Sequence, residues 1–417
     1  MVARRDEGLN QGVPSRMDLL DKLRAVEQRA AAFADGSPMP GLTVIDRVLG
    51  PCEVVVRGRP TLMFGSNNYL GLTLHPEVVD AARRAVVAYG TGTTGSRTAN
   101  GTLALHDSLE RQFCDWFGKR HALIFSTGYQ ANLSLIGGLC GAGDVILIDS
   151  DSHASIYDAT RQTAAQVIGF RHNSPDSLRR KLERLPAHER NRLVVVEGLY
   201  SIRGDVAPLR DIVDVCRAHG AYLLVDEAHS LGTYGPTGLG CAEEQGVLDE
   251  VDFIVGTFSK SLAGIGGVGV SNHSELRALH FLARAYVFTA SGSPSNIASV
   301  SAAVDVVRSH PELRAQLWVN VHRLRQGLRE LGYAIGETES PIVPIFTGDE
   351  ARTIALWQRL LSEGLYVNLI VPPGCPVDDC VLRASCSAAH TPEHLARALD
   401  IFGRVGAELG VTRVALS

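Results

Sequence analysis

Between residues 120 and 270 the sequence repeats one pattern: a short apolar run, a cluster of small or polar residues, then a helical stretch. The runs are Ala122–Phe125, Val145–Ile148, Leu193–Glu197, Tyr222–Val225 and Phe253–Val255. Runs of this length, bounded by turns and separated by helices, predict strands buried on both faces. They belong in a mainly parallel α/β sheet covered by helices. In such a sheet ligands sit beyond the carboxyl ends of the strands, so the residues after each run are the first candidates for a site.

Asp149-Ser-Asp-Ser-His153 follows the second run, Gly198-Leu-Tyr-Ser201 the third, Asp226-Glu-Ala-His229 the fourth and Gly256-Thr-Phe-Ser-Lys260 the fifth. Singly, each has an ordinary explanation: an Asp at a strand end caps a helix, and a Lys after a Ser is solvated. On successive strand ends they converge, and pyridoxal 5'-phosphate chemistry asks for this set. Lys260 would hold the cofactor as a Schiff base and then move protons at a substrate carbon. Asp226 would keep the pyridine nitrogen protonated. His229 would reach the phenolic oxygen, and His153 would stack on the ring. Ser126-Thr-Gly128-Tyr129 opens a helix after the first run, which makes an anion site for the phosphate, with Thr257 and Ser259 adding hydroxyls. Asp-Glu-Ala-His also marks a class of nucleic-acid helicases, but those need Gly-x-x-x-x-Gly-Lys-Ser/Thr. Here the single Gly-Lys pair, Gly118-Lys119, is followed by Arg120, and Phe113 stands where the first Gly belongs.

The flanks read as follows. Residues 17–35 are expected to be helical with Leu19, Leu20, Leu23 and Val26 on one face, and Gly36-Ser-Pro-Met-Pro-Gly41 ends that helix. Strands are expected at Glu53–Arg57 and Thr61–Phe64, and a helix at 76–89. The Gly-, Thr- and Ser-rich segment Gly90–Gly101 reads as a loop lining a site. Residues 298–330 read as one long helix leading to a smaller α/β domain. That domain has strands Ile342–Ile345 and Val381–Ala384 and helices 351–363 and 392–408. The division is an amino-terminal piece, 1–60, a large cofactor domain, 61–300, and a linking helix with the small domain, 301–417.

The 417 residues carry a net charge of -5 with no basic run, which argues against a nucleic-acid partner. Eight cysteines include no Cys-x-x-Cys pair and no zinc spacing, so no metal is expected and the thiols suit a reducing compartment. Met1–Arg16 lacks a signal peptide's apolar core, and no window reaches the ~20 apolar residues of a transmembrane segment. The expected location is cytoplasmic.

Seven motifs occur in order: Gly65-Ser-Asn-Asn-Tyr-Leu-Gly71, Gly92-Thr-Thr-Gly-Ser-Arg97 with Gly101-Thr102 and His106, Ser126-Thr-Gly-Tyr129, Asp151-Ser-His-Ala-Ser155, Glu197-Gly-Leu-Tyr-Ser201, Val225-Asp-Glu-Ala-His-Ser230 and Thr257-Phe-Ser-Lys-Ser261. With them, the chain resembles the α-oxoamine synthase family across residues 40–410. Ile156-Tyr-Asp158, Arg171-His-Asn-Ser174, Val287-Phe-Thr-Ala-Ser291 and Gly364-Leu-Tyr-Val-Asn368 resemble its bacterial serine-using members most.

The resemblance implies a fold-type-I pyridoxal-phosphate transferase: a large domain with a mainly parallel seven-stranded sheet between helices, plus a smaller carboxy-terminal α/β domain. It implies a homodimer with shared active sites. Lys260, His153, Asp226 and His229 would be catalytic. Gly128, Tyr129, Ser201, Thr257 and Ser259 would join them in holding the cofactor, with Thr289 reaching the phosphate from the other subunit. Arg383, Asn67 and Asn68 would bind substrate, Arg383 through the amino-acid carboxylate.

The implied reaction is a decarboxylating Claisen condensation. Lys260 removes the α proton of a small amino acid, here serine, and the carbanion attacks a long-chain acyl thioester, on coenzyme A or acyl carrier protein. Loss of thiol and CO2 leaves an α-amino ketone such as 3-ketodihydrosphingosine. The alternatives are alanine or glycine as substrate in secondary metabolism, or amino-group transfer. Two departures bear on the choice. Val371 stands where the serine-using members carry an arginine before Pro-Pro, and Ser293-Pro294-Ser295 replaces a Pro-Pro-Ser.

Overall fold

Each of the five apolar runs is a strand, and Gln166–Phe170 and Gly267–Ser271 complete a seven-stranded sheet. The computed structural model describes residues 19–32, 42–186, 191–372, 374–376 and 379–412. Across the sheet the order is His121–Phe125, Gly267–Ser271, Phe253–Thr257, Tyr222–Asp226, Arg192–Glu197, Val145–Asp149, Gln166–Phe170. Neighbours are parallel except at Gly267–Ser271, which is antiparallel to both its partners.

Both faces are buried, as continuous apolar runs require. Val145, Leu147, Val194, Val196, Leu223 and Val225 enter one core, and Ile146, Ile148, Leu193, Val195 and Leu224 enter the other. This is the two-residue alternation of a strand, with apolar side chains on either side.

The expected helix 298–330 is two helices, Pro294–Ser309 and Pro311–Glu330. Pro311 supplies no N–H and disfavours helical geometry in the residue before it. His310 accordingly leaves the helix at φ −122°, ψ 66°. The small domain builds an antiparallel sheet in the order Ala334–Ile335, Ile342–Phe346, Val381–Ser385, Asn368–Ile370. Helices Glu350–Ser362 and Pro392–Leu409 pack beside it.

A third sheet joins the two ends of the chain. Arg47–Gly50, Glu53–Val56 and Arg59–Met63 are extended by Leu365–Tyr366, parallel to the last of them. Beyond this pairing Phe64 N donates to Tyr366 O at 2.9 Å, and Asn368 Nδ2 donates to Gly65 O at 2.7 Å. The amino-terminal strands thereby carry Asn67 and Tyr69 into hydrogen-bond contact with Arg383.

The amino-terminal helix is described at Asp21–Ala32, and its Leu19, Leu23 and Val26 face is exposed. The Gly36–Gly41 stretch lies outside the described residues. None of the eight cysteines is in a disulfide. Among the described residues no helix is long and apolar enough to cross a membrane.

Candidate active site

The strand ends open into a cavity of about 610 Å3. Its wall contains Lys260, Asp226, His229, His153, Gly128, Tyr129, Ser201, Thr257, Ser259, Asn67 and Arg383. Two expected residues are elsewhere. Asn68 is buried away from the cavity wall, donating from Nδ2 to Thr73 Oγ1 at 2.9 Å. Thr289 accepts from Gln130 Nε2 at 3.1 Å and is not part of this chain's cavity. The Gly90–Gly101 loop does not line the cavity either. It packs on a distant segment of its own chain, with Ser291 N donating to Gly95 O at 3.0 Å and Ser291 Oγ to Gly101 O at 2.7 Å.

A hydrogen-bonded chain links Asp226 to His153. Asn132 Nδ2 donates to Asp226 Oδ2 at 2.7 Å and lies 2.9 Å from Ser155 Oγ, which is 2.8 Å from His153 Nδ1. Ser155 N also donates to His153 Nδ1 at 3.2 Å. That nitrogen is therefore an acceptor, and the imidazole proton sits on Nε2. Burial depresses the His153 pKa, with Asp226 opposing and Lys260 adding to the shift.

His229 is buried, and its Nδ1 lies 2.8 Å from Tyr69 Oη. Burial and then the positive charges of Lys260 and Arg383 hold it well below the usual imidazole range. A neutral ring accepting from Tyr69 at Nδ1 presents Nε2–H as a donor.

Lys260 has a pKa lowered to about 8: burial lowers it, Asp226 and Glu197 pull it back up, and Arg383 lowers it further. Glu197, at the end of its strand, accepts from His153 N at 2.5 Å. Burial and the neighbouring Asp226 raise its carboxyl well above the ordinary range. Arg383, 4% exposed, donates to Ser201 O, Ser385 Oγ, Asn67 Oδ1 and Tyr69 Oη. Among the described residues no carboxylate pairs with it, so a buried guanidinium reaches the cavity with its charge uncompensated.

The phosphate end is built by close approach. A Cβ at Gly128 would lie 2.7 Å from Thr257 Oγ1, and one at Gly267 would lie 2.7 Å from Gly128 Cα. Only glycines let the start of helix Gly128–Leu139 sit against Thr257. Thr127 caps that helix through Gln130 N, which leaves the N–H groups of Gly128 and Tyr129 without intrahelical acceptors. With the Thr257 and Ser259 hydroxyls they could hold an anion. An anion cradle, an amine of lowered pKa and a carboxylate opposite fit pyridoxal phosphate.

Four contributors escaped the sequence reading. Glu197 was a charged end on an apolar run, and Asn132 was a polar residue within the apolar stretch Ala131–Ile136. Tyr69 and Ser155 gave no signal beyond membership of their motifs.

A family model described as aminotransferase class I and II matches residues 59–402. Serine palmitoyltransferase of Caulobacter vibrioides (strain NA1000 / CB15N) is 48% identical over 395 residues, covering 95% of this chain and 98% of that protein. The solved structure of Sphingomonas wittichii serine palmitoyltransferase matches with a TM-score of 0.92 at 46% identity, over 95% of this chain and all of that one. A high-resolution structure of SPT with a PLP internal aldimine matches with a TM-score of 0.92 at 42% identity, over 95% of this chain and 100% of that one.

Proposed function

The chain belongs to the aminotransferase class I and II family, in its α-oxoamine synthase branch, and on that footing we propose that it condenses serine with a long-chain acyl thioester, using pyridoxal phosphate and releasing CO2 and thiol. The observation that carries this reading is the uncompensated, buried Arg383 in the same cavity as Lys260 and Asp226. A cationic fork at that place suits an amino-acid carboxylate.

When bound, pyridoxal phosphate supplies a sink for the electron pair left at the amino acid's α carbon. Gly128, Tyr129, Thr257 and Ser259 would hold its phosphate, Asp226 its pyridine nitrogen and His229 its phenolic oxygen. Arg383 orients the substrate carboxylate. Lys260, with its lowered pKa, takes the α proton and returns one after CO2 has left. His153 is held by Ser155 and by the Glu197 carboxyl at its backbone, so Nε2–H is free to donate toward substrate.

Two predictions follow from this assignment. Arg383→Ala should weaken serine binding to the holoenzyme by on the order of 10²-fold, since one partner of a desolvated charge pair is lost. Titration with serine while following the visible cofactor band measures it, and an unchanged dissociation constant would place the carboxylate elsewhere. The second concerns the apoenzyme. The neutral amine of Lys260 is the form that attacks the cofactor's aldehyde, and its pKa is about 8 instead of 10.5. The rate of cofactor uptake should therefore rise with pH to a midpoint near 8 and level off. A rate still climbing at pH 10 would contradict it.

The function itself is tested by titrating with serine, alanine, glycine and threonine, then adding a long-chain acyl-CoA and measuring CO2 and free thiol together. Val371 favours a second reading, with alanine or glycine as substrate, because it departs from the arginine that the serine-using members carry before Pro-Pro. A clear preference for alanine or glycine would establish that reading instead.

A homodimer is supported by the exposed apolar residues Phe281 and Phe288, and by Ile265, which lines the cavity yet is 64% exposed. A partner subunit there would also bring its Thr289 segment within reach of the shared site. Sedimentation at a mass of two chains is the expected result. Eight cysteines with no disulfide among them suit a cytoplasmic setting.

A further inference from the structure

The Arg171-His-Asn-Ser174 motif has no part in the chemistry above and does not line the cavity, yet it makes a dense set of contacts. His172 Nδ1 lies 2.8 Å from Asp149 Oδ1, and His172 Nε2 is bonded to Asp205 Oδ2. His172 N donates to Ser150 Oγ at 3.1 Å, and the edge of the ring meets Tyr200, with centroids 4.5 Å apart and planes at 88°. Asn173, at φ +48°, turns its N–H to Asp149 Oδ2 at 2.9 Å and its Nδ2 to Asp205 Oδ2 at 3.2 Å.

The two carboxylates belong to different pieces of the site. Asp149 ends the strand that leads to His153 and has no exposed side-chain surface. Asp205 lies on a hairpin between Leu199 and Val206. The hairpin is closed by the Leu199–Val206 bridge and by Tyr200 N donating to Asp205 O at 2.9 Å. At its tip Ser201 and Ile202 line the cavity, and Ser201 O receives Arg383 Nε.

We propose that His172, bridging Asp149 and Asp205, is the positioning residue that sets the hairpin so that Ser201 holds Arg383 in register for a substrate carboxylate; this deepens the function proposed above and rests on it. Without His172 two carboxylates, one fully buried, face each other across the space of one ring. Like charges so placed separate. Asp205 is laddered to Tyr200, so the hairpin moves as a unit and takes the Ser201 carbonyl from Arg383. Burial opposes charge on His172, but Asp149 and Asp205 override it and push the imidazole up to about 10, so the bridge is cationic at neutral pH.

The test uses holoenzyme and L-serine, with the visible cofactor band reporting binding at equilibrium. His172→Gln should weaken serine binding by roughly tenfold while the lysine–cofactor band stays intact, because a small displacement of an orienting group is costly. Asp205→Asn alone should weaken it less, since His172 keeps Asp149. The double variant should bind serine more tightly than His172→Gln alone, because the repulsion that moved the hairpin is gone. Wild-type affinity in His172→Gln, or independent, multiplying losses in the double variant, overturns the proposal. If His172→Gln does not fold, Asp205→Asn decides it, and an unchanged affinity there is fatal. Wild-type enzyme that responds to another amino acid but not to serine refutes the serine assignment, and that amino acid then serves as probe in the same comparison.

Discussion

Lys260→Ala should lower CO2 and thiol release by ~10³-fold or more, the combined loss of the covalent anchor and the proton carrier. Nothing else in the cavity can take over. His153 has its basic nitrogen committed to Ser155, and His229 has its own committed to Tyr69. Glu197 accepts the His153 N–H, and burial favours its protonated form. The cofactor should stay bound in the variant through the phosphate cradle and Asp226, measurable by equilibrium dialysis, while the lysine-linked visible band disappears. A small added amine such as methylamine should restore part of the activity, because the defect is a missing base and not a misfolded site. A loss under tenfold would move proton transfer to another residue, His153 first.

The site residues after the strands were legible because their information is local. A strand end fixes the position of the next few side chains, so His153, Ser201, Asp226, His229 and Lys260 follow once the sheet is recognised. What failed was information carried by partners distant in sequence. Asn67 and Asn68 are adjacent and chemically identical, yet one reaches Arg383 and the other reaches Thr73. The difference is set by how the chain crosses from its amino-terminal sheet, which depends on Leu365–Tyr366 some 300 residues later. Thr289, expected to act from the other subunit, does not bear on this chain's own cavity. Two strands of the central sheet were missed for local reasons. Gly267–Ser271 alternates glycine with valine and lacks an apolar run, and the edge strand Gln166–Phe170 is largely exposed at Gln166, Val167 and Gly169. The single helix expected over 298–330 failed on Pro311, where periodicity on both sides masked the break.

Asp226→Asn should reduce kcat by ~10³-fold with a much smaller change in serine binding, because the charge it removes matters most when electrons reach the cofactor ring. The carboxylate has both oxygens engaged, Oδ2 by Asn132 Nδ2 at 2.7 Å and Oδ1 by Ala228 N at 2.9 Å. An amide at 226 can keep only one of these acceptors. Its NH2 group must face a donor, and the donor that can turn is Asn132, whose Oδ1 has no partner. Turning Asn132 satisfies the new amide but draws its NH2 group away from Ser155, so the support of His153 loosens as well. Asp226→Glu retains charge and should fall between. The two large losses are separable. Added amine restores part of the Lys260→Ala activity but none of the Asp226→Asn activity, since no diffusible base replaces a carboxylate fixed beside the ring nitrogen. Amine rescue of Asp226→Asn, or a kcat within tenfold of wild type, would remove Asp226 from that role.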